Sequence, residues 1–310
     1  MSVTSIEWCD ITINPIVGCT KCSEGCRSCY AERFAARLAK NPKTAAKYAG
    51  VVDENGKWTG KLSALDLSCF DKLPMTPKRI FVGSMTDLFH EKSNYENVDR
   101  IFLAMNRHPA HTFLVLTKRP ERMRRYITSS RDGGIRHPDD PPWPPLNLWI
   151  GVTVCDQEEA DEKIPILLAT PAAKRFVSIE PMLGPVDLLP SIFDSSLPLL
   201  DWVICGGETG PNARPMHPDW VRSLRDRCQA AGVPFFFKGW GDWQIASFEN
   251  GHFDYNMERN KAFWVFPDGV QQKPSGIRHG YDGGKPWAMI RVGKKTAGRL
   301  LDGREWNEVP

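Results

Sequence analysis

Six apolar runs constrain the fold of this chain more than any other feature: 79–83 (RIFVG), 112–116 (TFLVL), 148–154 (LWIGVTV), 175–179 (RFVSI), 202–205 (WVIC) and 233–238 (VPFFFK). Each is short, β-rich and continuously apolar, as expected of strands covered on both faces. Segments with helical periodicity lie between them, at 97–106, 121–127, 157–169 and 219–231, and another, 30–40 (YAERFAARLAK), precedes them. Pro120 stands where the first turn of a helix accepts it. Strands alternating with helices imply a parallel sheet with right-handed crossovers. Within that class the position of the polar residues favours a barrel over a doubly wound sheet. Small clusters follow the runs: Ser84, Met85 and Asp87; Thr117, Lys118 and Arg119; Thr153 and Asp156; Glu180; Gly206, Gly207 and Glu208; Lys238 and Trp240. Any one of these suits a helix cap or an ion pair, but their repetition matches the C-terminal mouth of a (β/α) barrel. The expected fold is α/β, a partial (β/α) TIM-like barrel of about six parallel strands over residues 1–240. Residues 241–310, rich in Gly and Trp with strand-like pieces such as 262–266, read as a C-terminal extension packing on it.

Four cysteines, Cys19, Cys22, Cys26 and Cys29, fall within the stretch GCTKCSEGCRSCYAER. A soft metal is what usually brings thiolates so close together. Cys22, Cys26 and Cys29 read C-x3-C-x2-C, the spacing that leaves one iron of a 4Fe–4S cluster open to a substrate or cofactor. A closed structural zinc site of four thiolates is the rival reading, although zinc ribbons place a longer loop between their pairs than Ser23–Gly25 provides. A disulfide framework is the weakest reading. The other five cysteines, Cys9, Cys69, Cys155, Cys205 and Cys228, are scattered; the total of nine is odd; and no signal peptide precedes Met1. That pattern fits a reduced, cytoplasmic protein.

No apolar run approaches a membrane span, so no membrane partner is expected. The net charge of +3 is too small to argue for nucleic acid alone. Basic residues do cluster, at Lys118, Arg119, Arg122, Arg124 and Arg125 and again at Lys294, Lys295, Arg299 and Arg304. Solvated helix faces explain most such clusters, and packing explains most of the tryptophans, with base stacking as the alternative for some. The proline-rich stretch 132–145 reads as a surface loop or flap. His90, His108, His111 and His217 lack metal-ligand spacing and read as surface or capping residues.

The cysteine loop with its following YAER, then FVGSMTDLFH, LTKRPERM, SIEPMLGP, GGETGPNARPMHPDW, PFFFKGWG and AGRLLDGREW, resembles the phage-associated three-cysteine-motif proteins along nearly the whole chain. Those proteins are similar to radical S-adenosylmethionine (SAM) enzymes, and some to DNA-repair lyases that reverse pyrimidine photoproducts. The resemblance implies a 4Fe–4S cluster, SAM, an external electron donor and lyase-like or transferase-like radical chemistry, with DNA or RNA as the substrate class. Its C-x6-C-x2-C pattern implies Cys19, Cys26 and Cys29 as ligands, with Cys22 an alternative, a spectator or a fourth ligand. SAM needs partners for its amino, carboxylate and ribose groups. Ser84, Asp87 and Glu180 suit that role, Tyr30, directly after Cys29, would pack beside the cluster or the adenine, and Gly206, Gly207 and Glu208 are grouped with them. A GGE motif holds the SAM amino group early in radical-SAM chains; here it falls late, so that likeness is read as accidental, with the glycines allowing a ligand close to the backbone. Lys118, Arg119, Arg214, Lys238 and Trp240 are candidates for a carboxylate, a phosphate or a base. Two non-radical readings stand beside this: a zinc-stabilised binding protein, and an iron–sulfur protein whose cluster is structural or redox-sensing.

Overall fold

The computed structural model describes residues 4, 6–132, 142–188, 199–246, 262–273 and 285–310. The middle of the proline-rich stretch, 133–141, lies outside them.

The apolar runs form β2 (Arg79–Val82), β3 (Thr112–Thr117), β4 (Leu148–Val154), β5 (Lys174–Ile179), β6 (Trp202–Gly206) and β7 (Phe235–Gly239). A seventh strand, β1 (Ile11–Ile13), joins them beside β2, with Ile11 opposite Ile80 and Ile13 opposite Val82. The order β1-β2-β3-β4-β5-β6-β7 is also the chain order. A doubly wound sheet breaks chain order at its switch point. Unbroken order with parallel pairing is the topology of a partial (β/α) barrel, which is the architecture found. The helices fall close to the periodic segments: α1 (Tyr30–Ala39), a short α2 (Ala45–Tyr48), α3 (Tyr95–Asn106), α4 (Pro120–Asp132), α5 (Gln157–Leu168) and α6 (Pro218–Ala231).

The chain divides into two compact units. The first comprises Met1–Thr153, Glu162–Ser178 and Ser195–Asp201. Its strands bury Ile80, Phe113, Leu114 and Val115 completely. On α4, Tyr126 packs against Phe89, Tyr95 and Phe102 at 5.2–5.9 Å and donates its hydroxyl hydrogen to Asp99 at 2.7 Å. Asn94 caps α3 by accepting the Glu96 N–H. A smaller cluster of Val17, Ala31, Ala35, Tyr48, Val51 and Met85 packs α1 under the cysteine loop, with Cys29 against it.

The second unit comprises Val154–Asp161, Ile179–Asp194 and Trp202–Pro310. Helix α6 opens at His217, whose Nδ1 accepts the Asp219 N–H, and Pro218 occupies the first turn, where no N–H is needed. Beyond β7 come β8 (Trp243–Ile245), β9 (Ala262–Val265), β10 (Gln271–Gln272) and β11 (Trp287–Arg291), followed by the single-turn α7 (Lys294–Ala297). These four strands make an antiparallel sheet in the order β10-β9-β11-β8. No helix of the described residues is long and apolar enough to cross a membrane.

Candidate metal centre

The loop from β1 to α1 carries the four cysteines, and the first unit fixes its backbone at several points. Gly18 opens it at φ +116°, and a Cβ there would lie 2.2 Å from the Lys61 carbonyl oxygen, so only glycine fits. The Gly18 N–H donates to Met85 O at 3.0 Å, and Thr86 Oγ1 donates to Gly18 O at 2.7 Å. Lys21 is held by the buried carboxylate of Glu32 at 3.0 Å, which also accepts from Trp58 N at 3.1 Å. Ser23 caps the turn Glu24–Cys26, and Cys29 stands at the N-terminus of α1. Tyr30 donates its hydroxyl hydrogen to Ser84 O at 2.8 Å, tying the start of α1 to the residue after Gly83 at the end of β2. The hydroxyl of Ser84 is shared with Asn14, whose Oδ1 also accepts the Met85 N–H at 2.8 Å.

Beside Cys19 lies a buried polar network. Asp87 accepts from Phe89 N, Thr117 Oγ1, Lys118 N and Arg119 Nη1, at 2.7–3.0 Å. Arg119 spends its other nitrogens on Glu91 (Nε at 2.7 Å) and on Thr20 Oγ1 (Nη2 at 2.7 Å). His90 Nδ1 accepts the Lys92 N–H, so its neutral ring carries hydrogen on Nε2 and donates to Thr20 Oγ1 at 3.0 Å. Thr20, between Cys19 and Lys21, is thereby fixed from two sides. Burial opposes the charge of Arg119, but Glu91 and Asp87 outweigh it and raise the pKa. Burial also works against ionisation of Glu91, yet the Arg119 hydrogen bonds hold its pKa down to about 2.

The cysteines differ among themselves. Burial, reinforced by the Asp87 charge, pushes the Cys19 thiol up to about 12. Cys22 and Cys26 share a hydrogen bond in which the Cys22 thiol is the donor. Cys22 is exposed as a residue, so we attribute its raised pKa to that bond rather than to burial. The same bond, helped by the Lys118 charge and against burial, lowers Cys26 to about 5. All nine cysteines are free thiols. Among the described residues no three Cys, His, Asp or Glu side chains converge closely enough to hold a metal ion as they stand. Holding a metal therefore requires the cysteine side chains to move from these positions. The donor set itself, four thiols on one loop beside Lys118 and Arg119, has the chemistry a soft, thiolate-bound metal or cluster needs.

Several sequence candidates turn out to serve the protein itself. Asp87 has both oxygens engaged, and Arg119, expected as a phosphate ligand, has Nε, Nη1 and Nη2 all bound by protein groups. Thr20, Glu91, His90 and Asn14 belong to the site surroundings, and nothing in their local sequence marks them. Of the surface-or-capping reading of the histidines only the second half holds for His90, His111 and His217: all three are buried, and each accepts a backbone N–H on Nδ1, His217 as the cap of α6.

The remaining candidates lie in the second unit. Glu180 is paired with Lys238, and its Oε1 is buried without a hydrogen-bond partner among the described residues. At Gly207 a Cβ would lie 2.3 Å from Trp240 O, so its bareness lets the chain pass itself closely, and its N–H donates to Gly239 O. Glu208, nearly fully buried, grips Arg214 with both oxygens at 2.8 Å. Trp240 is buried, donates Nε1–H to Leu300 O at 2.8 Å and stands edge-on to Phe237, leaving it no face for a base.

No curated protein matches the chain. Among solved structures, a mutant of spore photoproduct lyase is similar at 7% identity and a TM-score of 0.32, with 89% of this chain and 66% of that chain covered. Family comparison is decisive: the family described as "Protein of unknown function (DUF5131)" matches residues 3–310, and the chain belongs to it.

Proposed function

We propose that this chain is a 4Fe–4S enzyme of the radical SAM type, with Cys19, Cys26 and Cys29 as cluster ligands. The observation that carries the reading is the cysteine loop itself: four thiols on a backbone pinned at Gly18, Thr20 and Lys21, and flanked by cationic Lys118 and Arg119. Cys19, Cys26 and Cys29 would hold the cluster, which would supply the electron for reductive cleavage of SAM. The protein's part is positional and electrostatic. Lys118 stabilises the Cys26 thiolate, and Arg119 holds Thr20 and hence the backbone that presents Cys19. Tyr30 fixes the first turn of α1 next to Cys29.

A closed four-thiolate zinc site is the second reading, and the hydrogen bond between Cys22 and Cys26 favours it by making Cys22 a neighbour of an assigned ligand. Anaerobic purification with iron, sulfide and zinc analysis separates the two. The expected result is about four irons per chain, with visible absorption bleached by dithionite and SAM cleaved on reduction. Cys22→Ser keeps the iron, whereas Cys26→Ser loses it. Stoichiometric zinc in a colourless protein, abolished by Cys22→Ser, would establish the zinc site and overturn the radical reading.

A further inference from the structure

The second unit holds a cavity of about 660 Å³ that none of the cysteine chemistry uses. Its lining includes Asn212, Asp242, Trp243, Phe263, Gln271 and Arg291. We propose that it binds a nucleoside monophosphate, either free or at the end of a nucleic-acid strand.

The size falls within the range of small-molecule sites. The aromatic element is built rather than incidental. Trp243 is buried, its Nε1–H bonded to Ala213 O at 3.0 Å, and Phe263 stands edge-on against it, 5.6 Å between centroids at 80°. Phe263 itself is only half-buried, which suits a ring that offers surface to a planar ligand. The side-chain amides of Asn212 and Gln271 make no hydrogen bond to any described residue, although each carries donors and acceptors able to match a base edge.

Arg291 supplies the anion site. Its Nη2 is anchored to Gly210 O and to Asp242 Oδ2, and the same Asp242 oxygen accepts the Gly210 N–H at 3.0 Å. Nε and Nη1 have no partner among the described residues, so the guanidinium is held by one nitrogen and presents the others. Charge then limits the ligand. Asp242 offsets Arg291, and the neighbouring Arg214 is neutralised by Glu208. That balance suits a single phosphate and disfavours a polyphosphate, which needs a clear excess of cations.

Calorimetric titration of the full chain with AMP, GMP, CMP and UMP, with the matching nucleosides, and with a 5′-phosphorylated single-stranded oligonucleotide tests the assignment. At least one monophosphate is expected to bind about tenfold or more tightly than its nucleoside. Arg291→Gln should erase that difference, and Phe263→Ala should weaken phosphorylated and unphosphorylated ligands alike. Asn212→Ala combined with Gln271→Ala should flatten the preference among bases. Oligonucleotide binding tighter than mononucleotide binding identifies a strand end; the reverse identifies the free nucleotide. Should Arg291→Gln fail to fold, the Phe263 and amide variants decide. Absence of binding by every phosphorylated probe at about 1 mM overturns the proposal. So does wild-type titration by the Phe263 and amide variants. The outcome is independent of iron content, so failure here leaves the cluster reading intact.

Discussion

Arg119 is nearly fully buried, yet it reaches Asp87, Glu91 and Thr20 at once through three different nitrogens. A lysine cannot do this, because its single nitrogen lacks the guanidinium's fork. The Asp87–Arg119 pair is under 10% exposed on both sides, so breaking it leaves a buried charge poorly compensated. Asp87→Ala should therefore cost about 3–5 kcal/mol in urea unfolding of the metal-free chain. Asp87→Asn should cost less, because an amide oxygen can still accept from Thr117. Arg119→Lys should lower iron uptake on reconstitution without abolishing it, since Thr20, next to Cys19, keeps only His90 and Glu91 as side-chain partners. Equal iron uptake and a loss below about 1 kcal/mol for Asp87→Ala would show the network to be ornamental to the loop. None of this coupling was readable from the chain. Cysteine spacing is local and visible, whereas Thr20 and Arg119 are 99 positions apart, and threonine and glutamate carry no chemical signature until folding brings them together.

Helices α1, α3, α4, α5 and α6 were legible because each has an apolar stripe long enough to set a period, and α6 has a marked start in His217-Pro218-Asp219. Strand β1 was not, since Ile11 and Ile13 around one threonine are too short a run to stand out. The start of α6 has a pH consequence. Burial is the main reason the His217 pKa lies below the usual 6.5, with Arg222 adding to it and Asp219 and Asp268 opposing. The folded chain thus favours neutral His217, whose Nδ1 must be unprotonated to accept the Asp219 N–H. A folded pKa below the unfolded value means the contribution is complete above about 6.5 and is lost as pH falls through the lowered value. His217→Asn supplies a cap that does not titrate. Its urea midpoint should fall less between about pH 7.5 and pH 5.5 than that of the wild type. His90 and His111, also shifted down by burial, titrate in both proteins and cancel in the comparison. An identical fall in both chains would remove His217 from the acid sensitivity.

Across the whole molecule, the parallel sheet was the most legible property, because continuous apolar runs separated by helices leave few other ways to wind the chain. The treatment of the sheet's last strand was not legible, since the segment that covers it has no strand pattern of its own. β7 ends the sheet, and its sequence Phe235-Phe236-Phe237 would make an uncovered edge adhesive. Residues 306–308 cover it. Phe237 N–H donates to Trp306 O at 2.9 Å, Asn307 bridges Phe236 in antiparallel fashion, and Glu308 N–H donates to Phe235 O at 3.3 Å. The Glu308 side chain accepts the Phe235 N–H at 2.9 Å, and its carbonyl accepts the Trp202 indole N–H at 2.8 Å. Trp306 also has two cations over its ring, Arg304 at 3.5 Å and Arg225 at 5.3 Å from the centroid. Removing residues 303–310 should thus strip the edge of its backbone partners while leaving the strands of the sheet in place. The truncated chain should aggregate on mild warming, with light scattering and thioflavin fluorescence rising together. Glu308→Ala, which keeps the backbone pairing but loses the side-chain bonds to the Phe235 N–H and to Gln229 and the exposed pair with Arg304, should lower stability by about 1 kcal/mol without aggregation. If the truncated chain instead stays as soluble as the full one at equal concentration and temperature, β7 does not depend on this segment for its protection.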